Sequence, residues 1–289
     1  MLKKNFLILG SQGFIGINLI HHLLKKKIPI ISIGKKKNFI KNNKIKHIKT
    51  DVYKFKNYIK FLNENSIVIF LAASKFDFNL IKKFRVLIQL FKSKKIKKLL
   101  FVSSASVYGN NQNITSEIVF KRPINKQGKF FLKLENEIIS LLKSSKSNFT
   151  ILRTFNVFGK NRTHKGMIEN FIQRLLKNNK VFYASSLNNF RTYISVNDLI
   201  KIIYKLSKKN KKNLIINVCN PHYIYSLKDI SQRVYEITKK QFVKIITKND
   251  KNIISNSICI PKKLVNMKLL KFKNNFNLEL KNIINEYSV

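Results

Sequence analysis

Two patterns in this 289-residue chain could do chemistry. The first is a set of three glycines, Gly10, Gly13 and Gly16, in the run Ile8-Leu9-Gly10-Ser11-Gln12-Gly13-Phe14-Ile15-Gly16. The chain has only eight glycines, so three at this spacing make a concentrated signal. Gly10 allows a tight turn, Gly13 lets the backbone approach a pyrophosphate, and Gly16 lets a helix pack close to a strand. A helix that opens here presents free N–H groups and the positive end of its dipole to phosphates. The expected ligand is a dinucleotide, with Gln12, Phe14 and Ile15 completing the turn. The second pattern is Gly34-Lys35-Lys36-Lys37, which follows the apolar run Ile30-Ile31-Ser32-Ile33. A strand in this place usually ends in a carboxylate that holds the adenosine ribose of NAD, and none is present. A lysine cluster there suits a 2′-phosphate, so NADP is expected over NAD, with Lys35 as a contact.

These residues need a sheet and helices to position them. Short apolar runs at 6–9, 29–33, 45–48, 66–72, 97–103 and 149–153 read as strands. Helical patterns at 14–26, 54–63, 79–93 and 130–145 separate them. Strand–helix alternation of this kind predicts an α/β fold with a parallel sheet covered on both faces. The expected architecture is a Rossmann-type doubly wound sheet over 1–155 and a smaller C-terminal α/β substrate lobe over 156–289, partly interleaved with it. In the lobe, helices are expected at 165–178, 196–208, 226–238 and 277–287, among short strands near 180–184, 191–195, 213–218 and 242–246.

The charge is extreme. Lys plus Arg number 58 against 13 Asp plus Glu, a formal net charge of +45. The basic residues are nearly all Lys and are scattered along the chain, whereas a nucleic-acid surface gathers its charge on one face. Abundant Lys, Asn, Ile and Phe with few Gly, Pro, Arg and Trp is how an AT-rich genome writes a protein, so no specific nucleic-acid partner is expected. Cys219 and Cys259 are the only cysteines and lack metal-binding spacing, which excludes a disulfide framework and fits a reduced cytoplasmic setting. No run of about 18 apolar residues predicts a membrane span.

Further motifs make a resemblance. The glycine spacing is GxxGxxG with Phe14-Ile15 inside it, and Thr50-Asp51-Val52, Phe70-Leu71-Ala72-Ala73, Ser103-Ser104-Ala105-Ser106-Val107-Tyr108-Gly109, Arg153-Thr154-Phe155-Asn156-Val157-Phe158-Gly159 and Arg191-Thr192-Tyr193-Ile194 follow in order. Together they resemble the extended short-chain dehydrogenase/reductase family, the NAD(P)-dependent epimerases, dehydratases and reductases similar to UDP-glucose 4-epimerase. The resemblance runs along nearly the whole chain and implies a nucleotide-sugar substrate. It implies that Asp51 and Val52 meet the adenine and that Leu71, Ala72 and Ala73 pass under the cofactor. It also implies Ser104 as the catalytic serine, and Asn79, Asn156 and Arg191 as substrate contacts, with Arg191 gripping the diphosphate. Many members are dimers, and the apolar face of 79–93 with the Phe130-Phe131 helix permits a homodimer.

The family's chemistry uses a Tyr and a Lys four residues apart on the helix after the serine strand. Lys133 fits the Lys, which would hold the nicotinamide ribose. Four residues before it stands Lys129, and no tyrosine lies between Tyr108 and Tyr183. A lysine with an unperturbed pKa of about 10.4 is a poor base unless strongly depressed. Three accounts stay open: an active enzyme using another acid such as Tyr108, Ser104 or the substrate itself; a dinucleotide-binding member with a binding or regulatory role; and a basic scaffold.

Overall fold

The structure is a computed structural model that describes residues 5–37, 40–73, 76–110, 115–162, 166–209, 212–242, 244–247 and 256–288. Short apolar runs ending at glycine or polar residues become strands, and after the first, fourth and fifth of them a helix with an apolar stripe packs back onto the sheet. β1 (Phe6–Leu9) leads through the glycine turn into α1 (Phe14–Lys25). β2 (Ile30–Gly34) and β3 (Ile45–Lys49) follow. The helix expected at 54–63 is instead two 3₁₀ turns, Phe55–Asn57 and Ile59–Phe61. Tyr58 breaks it: this residue is fully buried, leaves helical geometry and donates its hydroxyl to the Val52 carbonyl.

β4 (Ile67–Phe70), α2 (Leu80–Ser93) and β5 (Lys98–Ser104) come next, then a 3₁₀ turn at Ala105–Tyr108 and α3 (Lys126–Leu142). α3 begins four residues before its expected start, because the Asn125 side chain accepts from the Gly128 N–H at 2.8 Å and caps the helix there. β6 (Asn148–Thr154), β7 (Asn156–Phe158), α4 (Met167–Leu176), β8 (Val181–Ala184), β9 (Arg191–Ser195), α5 (Val196–Lys208) and β10 (Leu214–Val218) follow. The chain continues with β11 (Ile224–Tyr225), α6 (Leu227–Thr238), β12 (Lys244–Thr247), α7 (Lys262–Asn266) and α8 (Phe276–Tyr287).

The central sheet has seven strands in the order β10-β6-β5-β4-β1-β2-β3, all paired in parallel. This is the doubly wound Rossmann order with one added edge strand. The order reverses between β1 and β4, so their carboxyl ends open the crevice where such folds take ligands. One core layer holds α2 and α3 against the sheet, with Phe70, Phe84, Phe101 and Phe131 at its centre. The opposite layer holds α1 and α5, with Leu19, Leu23, Leu199 and Ile203. A third core, around Phe158, Phe171, Tyr223 and Phe276, builds the smaller lobe from α4, α6, α8 and the short strands. The sequence after 155 thus serves both bodies, since β10 and α5 complete the large sheet while the residues around them form the lobe. Among the described residues no helix is long and apolar enough to cross a membrane.

Candidate functional site

The glycine turn sits at the carboxyl end of β1. Gly10 has φ +83, and a Cβ there would stand 2.9 Å from the Ala72 backbone nitrogen, so the turn lies directly on the segment leaving β4. Gly16 is pressed as closely onto Ser11, where a Cβ would fall 2.5 Å from its carbonyl oxygen. Gly13 differs, because a Cβ there would meet only the Gly10 carbonyl, at 3.5 Å. Gly13 caps α1 without any side-chain hydrogen bond, and the first turn carries no acidic residue. Open space over Gly13 and an uncapped helix start fit the diphosphate of a dinucleotide.

The adenosine end is built differently from expectation. Lys35 Nζ lies 2.5 Å from Asp51 Oδ2, so two expected cofactor contacts are paired with each other. Burial pushes the Asp51 carboxyl up, but the Lys35 ammonium and the Tyr53 N–H outweigh it and hold it below the usual carboxylate range. Gln12 reaches across to the lysine loop, where its Nε2 donates to the carbonyls of Lys36 and Lys37 and its Oε1 accepts from the Lys36 N–H, all at 2.8–2.9 Å. Lys36 and Lys37 are left exposed beside the turn. Val52 is buried against Tyr58.

From the turn a cleft of about 670 Å³ runs between the sheet and the lobe. Phe14, Ile15, Leu71, Ala73, Ser104, Asn156 and Arg191 of the sequence-derived set all line it. Asn156 Nδ2 donates to the Thr192 carbonyl at 3.0 Å, and burial lowers the Arg191 guanidinium pKa. Ser104 Oγ accepts from the Ser106 N–H at 3.2 Å and from Ser106 Oγ at 2.9 Å, with Gln127 Nε2 at 3.4 Å. These donors engage its lone pairs and leave its own proton to donate to a ligand oxygen.

Two expected residues lie elsewhere. Asn79 is exposed at the start of α2, outside the cleft lining. Lys133 is exposed on α3, its Nζ 5.0 Å above the Phe78 ring, and Lys129 shares that outer face. The cleft instead receives Gln127 and Phe131, one helical turn apart. Gly128 lets this part of α3 press onto the serine turn, because a Cβ there would fall 2.1 Å from the Ser106 carbonyl. The apolar period of Phe130, Phe131, Leu134 and Ile138 carries this information: it turns those positions inward and positions 129 and 133 outward. Tyr108 is also removed as a proton carrier. It is buried, donates to Asn217 Oδ1 at 2.7 Å and accepts from Arg153 Nη1 at 2.9 Å, and burial raises it to about 12.

Electrostatics divide the cleft. Among the described lining residues the sheet side has no ionisable side chain, only Ser, Thr, Asn, Gln and apolar groups. Arg162, Glu169, Arg191 and Tyr193 all come from the lobe. Arg162 stands 4.9 Å above the Phe14 ring, donates to the Val157 carbonyl and lies 3.6 Å from Glu169 Oε1. Glu169 is 1% exposed, accepts from the Gly159 N–H at 2.9 Å and has no hydrogen-bond partner on Oε2 among the described residues. Burial raises its carboxyl pKa, against the pull of Arg162 and the Gly159 N–H. Arg162 and Glu169 were missed in the sequence, where they belong to no motif.

Comparison with known proteins agrees with this geometry. The profile of the NAD dependent epimerase/dehydratase family matches residues 6–219. The chain is 27% identical over 244 residues to GDP-6-deoxy-D-talose 4-dehydrogenase of Aggregatibacter actinomycetemcomitans, covering 81% of this chain and 80% of that enzyme. It is 27% identical over 271 residues to dTDP-D-glucose 4,6-dehydratase of Dictyostelium discoideum, covering 81% of this chain and 62% of that enzyme. Among solved structures, the Y149F mutant of UDP-glucuronic acid 4-epimerase from Bacillus cereus, in complex with UDP-4-deoxy-4-fluoro-glucuronic acid and NAD, superposes with a TM-score of 0.87 at 21% identity, covering 98% of each chain.

Proposed function

Because the chain belongs to the NAD dependent epimerase/dehydratase family, we propose that it binds a nicotinamide dinucleotide at the α1 turn and a nucleotide sugar in the adjoining cleft, without a tyrosine to move the proton. The face of α3 carries this reading: Gln127 and Phe131 stand in the cleft beside Ser104, where the family resemblance calls for a Tyr and a Lys. Neither side chain titrates, and no other ionisable group lines the sheet side among the described residues. Ser104 can orient a ligand oxygen by donating to it, but it has no base at hand to activate it.

NADP(H) is proposed over NAD(H). With Lys35 engaged by Asp51, the support is Lys36 and Lys37, which stand exposed on a loop that Gln12 holds in place. The named relatives act on GDP- and dTDP-linked sugars, which supports a nucleotide-sugar ligand. A homodimer through α2 and α3, in the cytoplasm, completes the proposal.

A second reading keeps family turnover. A bound nicotinamide supplies hydride transfer, and Ser104 would hold the reacting oxygen while the proton passes to the substrate or solvent. The retained Ser104 donor favours it.

Calorimetric titration with NAD(H), NADP(H) and a panel of UDP-, GDP- and dTDP-sugars, followed by a turnover assay, separates these readings. Binding with no turnover is the expected result. Turnover selects the second reading, and no dinucleotide binding overturns both.

A further inference from the structure

Two apolar side chains stand out of the loop between the 3₁₀ turn at Ala105–Tyr108 and α3. Ile118 is 91% exposed and Phe120 is 75% exposed, more than any other large apolar side chain among the described residues. Scattered apolar residues on a surface need no explanation, but these two are held there. The Thr115 N–H donates to the Ile258 carbonyl at 2.8 Å. The Glu117 carboxyl accepts from the Asn217 N–H at 3.0 Å, and Val119 packs against the core under α2 and α3. Arg122 bridges to Gly109, whose missing Cβ leaves room for the Arg122 carbonyl. Residues 117 and 119 are thus tied inward, and 118 and 120 alternate with them outward. The loop is anchored along its length and still presents its apolar pair to water.

The surroundings of the pair are basic. Lys121 and Arg122 follow it directly, with the Arg122 guanidinium 5.3 Å from the Phe120 ring centre. Lys126 and Lys129 are exposed at the start of α3. The segment paired with Thr115 runs on in the same direction, through exposed Ile260 to exposed Lys262 and Lys263. The one carboxyl in the loop, Glu117, is engaged inward by Asn217. A second copy of this chain would bring like charge onto like charge. Two protruding side chains also fall far short of the roughly 800 Å² per partner that a stable protein interface covers. Apolar tips among ammonium and guanidinium groups suit an anionic bilayer. Its headgroups attract the charges, and its headgroup–acyl boundary takes the tips.

We propose that loop 115–122 is a membrane-contact loop. Ile118 and Phe120 enter the interfacial region of an anionic phospholipid bilayer, and Lys121 and Arg122 meet its headgroups. The lining of the cleft resumes just beyond the loop, at Asn125 and Gln127, so attachment sets one wall of the cleft close to the membrane surface.

The test is vesicle sedimentation at about 0.15 M salt, where charges more than about 8 Å apart are largely screened. Vesicles are phosphatidylcholine alone, or with about one-third phosphatidylserine. The native chain should bind the anionic vesicles and not the neutral ones. Ile118→Ser with Phe120→Ser should weaken that binding about tenfold or more, the scale of two apolar side chains losing their burial. Lys121→Gln with Arg122→Gln should also weaken it about tenfold or more, by losing two headgroup contacts. Lys25→Gln with Lys26→Gln removes the same charge from the far end of α1 and should change binding about twofold or less. Thermal melting checks the fold of each variant. The chain has no tryptophan, so Phe120→Trp supplies a single reporter, whose emission should shift to the blue on anionic vesicles. Equal losses from the two charge variants, native-like binding by the serine variant, or unshifted emission would mean charge attraction alone and overturn the proposal. So would no binding to either vesicle, or capture by polyuridylate at the same salt without capture by vesicles.

Discussion

Gln127 Nε2 lies 3.4 Å from Ser104 Oγ. This contact identifies the face of α3 that meets the cleft. One turn further along, the same face presents Phe131, which packs 5.9 Å from Phe76, another cleft residue. Beside Ser104 this face therefore presents an amide and an aromatic pair.

Putting the family pair at these positions should create acid–base chemistry. The double variant Gln127→Tyr with Phe131→Lys is expected to turn over a nucleotide sugar about 10²-fold faster than the native chain, the lower range for general acid–base catalysis. Lys129→Tyr, on the exposed face, should leave turnover at the native level. Nicotinamide absorbance follows both. A gain from Lys129→Tyr alone would refute the assignment of the cleft face.

The roles of Gly10 and Gly13 in the turn should separate. Gly13→Val fills the open space over α1, so it should cut dinucleotide affinity at least tenfold while leaving the melting temperature nearly unchanged, because its backbone is extended at φ −81. Gly10→Ala forces a Cβ onto the Ala72 backbone at positive φ, so it should lower stability by about 1–3 kcal/mol in denaturant unfolding.

Under the cleft, Arg153 and Glu135 form a buried pair at 2.7 Å. Glu135 also accepts from Ser103 Oγ at 2.6 Å, next to Ser104 in β5. Arg153→Met should destabilise the protein by about 3–5 kcal/mol, because it leaves a buried carboxylate unpaired. Adding Glu135→Leu should recover part of that loss. Equal stability of the single and double variants would count against a charge penalty.

Lys98 is 3% exposed and donates to the carbonyls of Leu206 and Lys209, both at 2.9 Å. Burial lowers its pKa from 10.5 to about 8. The folded state therefore releases this proton while the unfolded state still holds it, so stability rises with pH between about 8 and 10.5. Chemical unfolding of the native chain and of Lys98→Met should show the native chain gaining on the variant across that window. A constant difference would contradict it. Subtracting the variant removes the titration of the many other lysines.

Much of the fold is legible in the residues because its signals are local. Apolar runs mark β1, β2, β4, β5 and β6, and the scarcity of glycine makes the turn at 10–16 conspicuous. The 3₁₀ turns at 55–61 were not legible, since they depend on Tyr58 finding a buried carbonyl. The cleft-facing side of α3 is legible in the apolar period of Phe130, Phe131, Leu134 and Ile138, whereas one lysine carries little information in a chain full of lysines. Arg162 and Glu169 carry no local signature. Their meeting depends on a loop anchored by Asn18, 142 residues earlier in the chain than Lys160.

The edge strand β10 has a further consequence, for biosynthesis. β6 ends at Thr154, but its outer neighbour begins only at Leu214, and α5, which covers one face of the sheet, lies between them. A nascent chain paused after β6 exposes a bare row of backbone donors and acceptors next to uncovered Ile, Leu and Val side chains, the surface on which strands from different molecules pair. Release from the ribosome at that length should give aggregates, and chaperone capture should peak there and fall once residue 218 has emerged.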